Sequence, residues 1–536
     1  MAAGRLAGAA ALIAVLTVAS RVAGFGRTVV FARTVTDNDL GDIYLAVNTI
    51  PNIVFEIVAG GALASMVVPL LAGAVAAGKR ATVSATTSAL LTWTLIVLVP
   101  LALAVAALAG PIVALLTPDG SSPAQIATGE RMLRVFAPQL PLYGVGIVLA
   151  GLLQAHHRFA WPVIAPFLSS ITVIGAYVTF AIVEGRGTDI PYVSRTGELI
   201  LSVGTTLGVV VLSLCLLIPV RRLGLRLRPA YAFPAGTRRT VSGLALAGAV
   251  TVAAQQLALL VALRLAFDGP EGAVVHYNLA QTVYLLPWAV LAVPVATAAF
   301  PRLAAAGAAD DTGRYAGTLA PAVRGVLLLS CLGAAVLVAV AGPAGQLLVD
   351  GRGTGAVTAG IVGFAPGLLG YALFALLSRA LYARGDTGAA AAATAAGWAV
   401  TVLAAVGLAA GLADSDRVLA LALGNSAGML VVGAVLLVVV ARRAGAAALR
   451  GLARVGAIGA LAGSLAAAAG VAVARVTVPM VAGTPPDVRA ALQGMLSGVA
   501  VGVVFLAVAY PLDRHDMRTL VGRRRGGDRQ REEVRP

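Results

Sequence analysis

Apolar residues occupy this chain in long blocks that show no alternation. LLTWTLIVLVPLALAVAALAG at 90–110 is apolar on every face of a helix, whereas a membrane-barrel strand alternates polar and apolar positions over about ten residues. A helix needs roughly 20 apolar residues to cross a bilayer core. The chain supplies fourteen such segments, the first at 6–31 and the last at 488–512. The pattern predicts an all-α polytopic membrane protein. The opening block, MAAGRLAGAAALIAVLTVAS, has the early Arg5 and the small-residue end of a secretory signal. Apolar character resumes in VVFA at 29–32 and thirteen further blocks follow, so the segment reads as a retained first helix.

An internal repeat organises the blocks. FAPQLPLYGVGIVLAGLLQA at 136–155 and FAPGLLGYALFALLSRALYA at 364–383 pair Tyr143 with Tyr371 and Ala155 with Ala383 in constant register. PLLA at 69–72 and PRLA at 301–304 end the second and eighth helices at nearly the same offset. Six helices therefore recur. An even-numbered unit keeps its orientation, so two parallel six-helix lobes are expected about a pseudo-twofold axis along the membrane normal, with substrate between them. The expected organisation is a first lobe over 1–220, a second over 221–441, two extra helices over 442–512 and a basic tail over 513–536.

Composition fits a lipid solvent. Of 536 residues, 59% are hydrophobic and 12% charged, with a mean hydropathy of +0.93, against roughly a quarter charged in soluble domains. The basic residues fall in alternate loops: Lys79 and Arg80, Arg158, the cluster Arg221, Arg222, Arg226, Arg228, Arg238 and Arg239, and then Arg442, Arg443, Arg450 and Arg454. That bias puts both termini and these loops on the cytoplasmic side. The opposite loops hold acids such as Asp37, Asp39, Asp119, Glu184, Asp189, Asp268, Asp350 and Asp414. The net charge of +16 is spread over the inner loops and tail, which suits topology and attraction to anionic lipid rather than nucleic acid. Cys215 and Cys331 lie inside apolar spans, so neither a disulfide framework nor a metal site is suggested.

Enzyme chemistry finds no motif. GAVAAGKR at 73–80 has the glycines and lysine of a phosphate-binding loop, but Arg80 stands where Ser or Thr must hold magnesium, and the segment ends a membrane helix. His156 and His157 lack the spacing of a zinc pair. No cofactor is expected, and without an ATPase signature work must come from an ion gradient, the membrane potential or the substrate's own gradient.

Polar groups inside the spans carry the candidate chemistry. Arg21 lies roughly 22 Å along the first helix from Leu6, a depth that costs about 2.5–3.5 kcal/mol for an arginine. Arg27 is rotated about 240° from it on an ideal helix, and Gly24 with Gly26 offers a bend to bring the two into one cavity. Arg33 reads as snorkelling to the interface. The second helix carries Asn48, Asn52 and Glu56 every four residues on one face, beside Pro51, Gly60 and Gly61. Gln255 and Gln256 lie in the seventh helix, and Asn278, Gln281 and Thr282 in the eighth. Each amide has a packing explanation in interhelical hydrogen bonding, but their concentration favours a hydrated cavity. The guanidinium fork suits an anionic, phosphate-bearing substrate.

SRVAGFGRTVVFAR at 20–33, Asp42, LAVNTIPNIVFEIVAGGALASMVVPLL at 45–71, HHRFAWPVIAPFL at 156–168, YNLAQTVYLLPWAVLAVPVATAAFPRLA at 277–304 and LYARGDT at 381–387 resemble the MurJ/MviN family of lipid II flippases. That family belongs to the superfamily that includes multidrug exporters and O-antigen flippases. The resemblance implies that undecaprenyl-pyrophosphate-linked peptidoglycan precursor is carried from the inner to the outer leaflet of the bacterial cytoplasmic membrane by alternating access. It also implies that Arg21 and Arg27 are cavity cations, that Asp42 matches the family's acidic residue after the first outer loop, and that the last two helices hold the prenyl tail in a groove. The expected partners are lipid II, anionic lipids and proteins of wall synthesis. Two further family arginines fall on Phe55 and Thr282, and such substitutions, with Lys79 the only lysine, look like those of actinobacterial members. Two alternatives stand beside this reading: an exporter of other cargo from the same superfamily, and a scaffold that recruits wall-synthesis partners through its tail.

Overall fold

The computed structural model describes every residue except 1, 119–120, 233–236, 350, 352, 481–482 and 515–536. The side chains of 2–14, 61–62, 64–65, 237–250 and 478–480 also lie outside the description. Asp119, Asp350, the guanidinium groups of Arg238 and Arg239 and the tail from 515 onward are therefore outside the described residues.

The chain divides into two compact units, Met1–Asn278 and Leu279–Pro536. The first begins with α1 (Ala2–Thr34), α2 (Asp39–Phe55), α3 (Gly61–Ala76) and α4 (Arg80–Ala107). It continues with α5 (Ala109–Leu116), α6 (Pro123–Phe136), α7 (Gln139–Ala155), α8 (Ala160–Val183), α9 (Arg195–Leu214), α10 (Leu217–Arg221) and α11 (Thr237–Phe267). Helix α12 (Ala273–Pro287) starts in the first unit and ends in the second. The second unit holds α13 (Val293–Ala308), α14 (Thr312–Leu348), α15 (Gly353–Phe364), α16 (Gly367–Tyr382), α17 (Thr387–Gly411), α18 (Arg417–Ala444), α19 (Leu452–Met480) and α20 (Pro486–Leu512). Twelve helical stretches are long and apolar enough to span a membrane, thirteen if α15 and α16, bent by 47°, form one span. Within α11 only the shorter stretch Thr251–Phe267 is counted among the described residues, so the expected fourteen is approximate.

The repeat is visible in backbone detail. Single π-helical turns, Glu56–Gly60 and Trp288–Ala292, follow α2 and α12. Each boundary recurs 232 residues later: Phe55 and Pro287 end the first helices, and Gly61 and Val293 begin the second. A π turn inserts one residue into the helical ladder and is frequent at functional sites.

Packing does not follow the repeat everywhere. The compact units divide after Asn278, because α11 packs on α2, α3 and the Glu56–Gly60 turn. The connection that precedes it is an extended strap along α4. Ser84 Oγ donates to Arg226 O, Ser88 Oγ accepts from Arg228 N at 3.1 Å, Thr92 Oγ1 accepts from Ala230 N at 3.0 Å, and Trp93 Nε1 donates to Tyr231 O at 3.0 Å. Leu223, Leu225 and Leu227 pack inward while Arg226 and Arg228 are exposed, the period-two pattern of extended backbone.

In the second unit, α19 and α20 pack on α14 through Cys331, Ala335 and Ala339 against Ala462, Ala466, Val501 and Phe505. Helices α16 and α18 meet at a glycine: a Cβ on Gly370 would lie 2.0 Å from the carbonyl oxygen of Met429. Gly370→Ala is expected to cost about 1–3 kcal/mol by overpacking against backbone that cannot yield. Gly24→Ala, at a position with nothing within 4 Å, should leave the melting temperature of the solubilised protein unchanged or higher. Equal melting temperatures for Gly370→Ala and the parent would contradict so close an approach.

Candidate functional site

Helix α1 runs unbroken through Gly24 and Gly26, and both glycines face open space. The arginines remain six residues apart on one continuous helix, Arg21 exposed and Arg27 half-buried. Tyr44, Tyr143 and Tyr177 are buried or half-buried rings of the same unit. Tyr44 and Tyr177 hydroxyls lie 2.9 Å apart, and Tyr44 meets Thr205 Oγ1 at 2.6 Å.

Asp42 is held by backbone donors. It is 4% exposed, and its two oxygens accept from the backbone N–H groups of Gly272 and Val275, both at 2.9 Å. These are the free donors at the start of α12, so Asp42 caps that helix across 230 residues of chain. The sequence reading places Asp42 in the cavity; in this structure its carboxylate faces backbone donors. Around it Asn38 caps α2 by accepting from Gly41 N at 2.9 Å, and Asp189 accepts from Leu40 N at 3.1 Å. Gly272 needs to be glycine: its φ is +83°, and a Cβ there would meet the Asp37 carbonyl at 2.6 Å.

His276 Nε2 meets Asp37 Oδ2 at 2.8 Å in the same corner. Burial by itself would raise the Asp37 carboxyl, but the hydrogen bond and charge of His276 outweigh it and hold Asp37 below its ordinary value. Glu271 nearby is pushed up by burial and then by the charges of Asp39 and Asp189. Because the folded Asp37 is the stronger acid, its contribution to stability is present above the unfolded carboxylate value and disappears as pH falls through the lowered folded value. Asp37→Asn should melt a few degrees below the parent at neutral pH, and the gap should close on acidification. A gap that widens in acid would contradict the pairing.

The remaining second-helix candidates meet. Asn48 Oδ1 lies 3.5 Å from Gln139 Nε2, which also donates to Thr206 Oγ1 at 3.1 Å, while Tyr143 OH donates to Gln139 Oε1 at 3.1 Å. One helical turn further, Asn52 and Glu56 line a cavity of about 300 Å³ with Phe55, Tyr143, Ile147 and Ser213. Gln139, fully buried, and Ser213 were missed by reading the sequence. The signal for Gln139 was the repeat itself, since Gly367 stands at its place in the second FAP motif. Gln255 is half-buried and Gln256 buried on α11. Asn278, Gln281 and Thr282 are half-buried on α12, the first closing one unit and the others opening the next.

In the second unit the corresponding place is filled. Trp288 stacks on Tyr371 at 4.8 Å and donates its indole N–H to Tyr371 O at 3.3 Å, with Tyr284 and Phe374 flanking the same ring at 6.2 and 5.9 Å. A separate apolar recess of about 290 Å³ lies between α14, α15, α16 and α19, lined by Cys331, Val338, Leu369, Gly459, Gly463 and Ala467.

Comparison with known proteins places this arrangement. The family model described as "Lipid II flippase MurJ" matches residues 31–482. A "Probable lipid II flippase MurJ" of Rhizobium meliloti is 28% identical over 342 residues, 62% of this chain and 61% of the relative. The chain thus spans less than two thirds of that relative's length. A "Lipid II flippase MurJ" of Burkholderia cenocepacia is 27% identical over 387 residues, covering 69% of this chain and 72% of the relative. Among solved structures, "Lipid II flippase MurJ, inward closed conformation" superposes with a TM-score of 0.70 at 17% identity, over 95% of this chain and 99% of that one. An inward-facing multidrug resistance MATE family transporter of the MOP superfamily gives 0.61 at 14% identity, over 79% and 94%. With a family match over most of its length and the fold of a solved member, this multi-pass membrane protein belongs to the MurJ family of lipid II flippases.

Proposed function

We propose that the protein moves lipid II, the prenyl-pyrophosphate-linked peptidoglycan precursor, from the inner to the outer leaflet of a bacterial cytoplasmic membrane by alternating access. The observation that carries this reading is the family match over residues 31–482, and two local features support it. Arg27, half-buried in α1, supplies a guanidinium of the kind that binds phosphate oxygens in pairs. The apolar recess walled by Gly459 and Gly463 suits a hydrocarbon tail, because its walls offer dispersion contacts and almost no polar competition. Both termini are read as cytoplasmic from the alternation of basic loops. Transport is driven by the membrane potential or an ion gradient, anionic lipids attend the basic loops, and proteins of peptidoglycan synthesis are the proposed protein partners.

The test is rescue. Cells depleted of their own lipid II flippase and supplied with this chain should survive and expose lipid II on the outer leaflet. Normal insertion without exposure of lipid II would point to another lipid-linked cargo.

A further inference from the structure

Glu56 contributes nothing to an anionic cargo. A carboxylate repels pyrophosphate, and an ionised acidic side chain at mid-bilayer costs about 2.5–3.5 kcal/mol. No basic group among the described residues forms an ion pair with it. It stands at the first residue of the π turn Glu56–Gly60, with the carboxyl folded over Gly60. A Cβ at position 60 would lie 2.3 Å from Glu56 Oε2 and 2.7 Å from Cδ, so the glycine leaves the carboxyl its room.

The carboxyl borders the cavity of about 300 Å³, space for several waters at about 30 Å³ each. A second group there lacks a partner: Ser213 is fully buried and its Oγ makes no hydrogen bond, which is costly unless water enters. The repeat supplies the contrast. The second unit places Trp288 where the first has Glu56 and stacks it on Tyr371. One lobe keeps a carboxyl beside a cavity roomy enough for water, and the other stacks rings at the matching turn.

We propose that Glu56 is a proton-binding site of the first unit, loaded from water in this cavity and unloaded during the transport cycle. Loading breaks one O–H bond of hydronium and forms one on the carboxylate, releasing water, with no electron transferred. A metal cation needs a cage of oxygens, whereas the other walls here include Phe55, Ile147, Ala165 and Leu212. Tyr143 on α7 is the titratable neighbour that shares the cavity. The lining residues of α8 and α9 bring no ionisable group, and α3 has none in its sequence. On α11, which packs against the turn, Arg264 is tied to Asp268. Proton binding at Glu56 is independent of the cargo, while its coupling to transport rests on the lipid II reading.

Infrared difference spectroscopy of the full chain in lipid nanodiscs tests the binding. The expected result is a carboxyl C=O band that rises on acidification and is missing from Glu56→Gln, with Glu56→Asp returning a shifted band. The Glu56→Asp shift reads the same site should Glu56→Gln not fold. Identical titrations of the parent and Glu56→Gln overturn the proton site whether or not lipid II moves. In vesicles, lipid II movement should change with pH by up to about ten-fold per pH unit, the limit for one titrating group, in the parent and Glu56→Asp, and stay flat in Glu56→Gln. Parental pH dependence in Glu56→Gln overturns the coupling. A missing band together with immobile lipid II overturns both, and an intact band with immobile lipid II supports the site and counts against the cargo.

Discussion

At equal abundance in the membrane, an Arg21→Ala, Arg27→Ala double variant is expected to move lipid II about a hundred-fold more slowly than the parent, or not at all. On the proposed function the pyrophosphate of lipid II must leave water, and charge-assisted hydrogen bonds of about 1.5–3 kcal/mol each offset that cost. Two lost guanidinium partners remove enough stabilisation for at least two decades in rate. Few cations share the task, because Phe55 and Thr282 stand where the family resemblance puts two further arginines. Arg27, half-buried where Arg21 is exposed, should carry the larger single effect. Arg27→Lys and Arg21→Lys should each recover only part, since an ammonium cannot reproduce the planar fork. Outer-leaflet exposure of lipid II in flippase-depleted cells measures the result. Parental exposure by the double variant would remove the arginines from the mechanism.

The helical architecture was legible because lipid demands it: every backbone polar group must be satisfied inside its own segment, so long apolar blocks have one outcome. The repeat was legible through its prolines and tyrosines, and the equal spacing of the two π turns extends it to backbone detail. What the sequence concealed were contacts between distant residues. Asn48, Asn52 and Glu56 announced their common face by spacing, but Gln139, which ties Asn48 to Tyr143, sits in a run that reads as plain apolar helix. The strap from Arg226 to Tyr231 looked like a basic loop. Its alternating Leu223, Leu225 and Leu227 held the extended pattern, and the hydroxyl ladder Ser84, Ser88 and Thr92 that receives it lies 138 to 142 residues earlier.

Asp42 shows how far a residue's type can mislead about its partner. The family resemblance gives this acid a role beside the cargo, yet its carboxylate is turned toward the Gly272 and Val275 amides. The sign of the interaction explains the acid: the start of α12 carries the positive end of the helix dipole and unpaired N–H groups. Asp42→Ala would leave two buried donors empty, a loss of about 3–5 kcal/mol, seen as a lower melting temperature and as faster amide exchange at residues 272–275. Asp42→Asn keeps one acceptor oxygen and should lose about half as much. If Asp42→Ala melted with the parent while lipid II movement ceased, the carboxylate would belong to the cargo after all, and the capping role would be incidental.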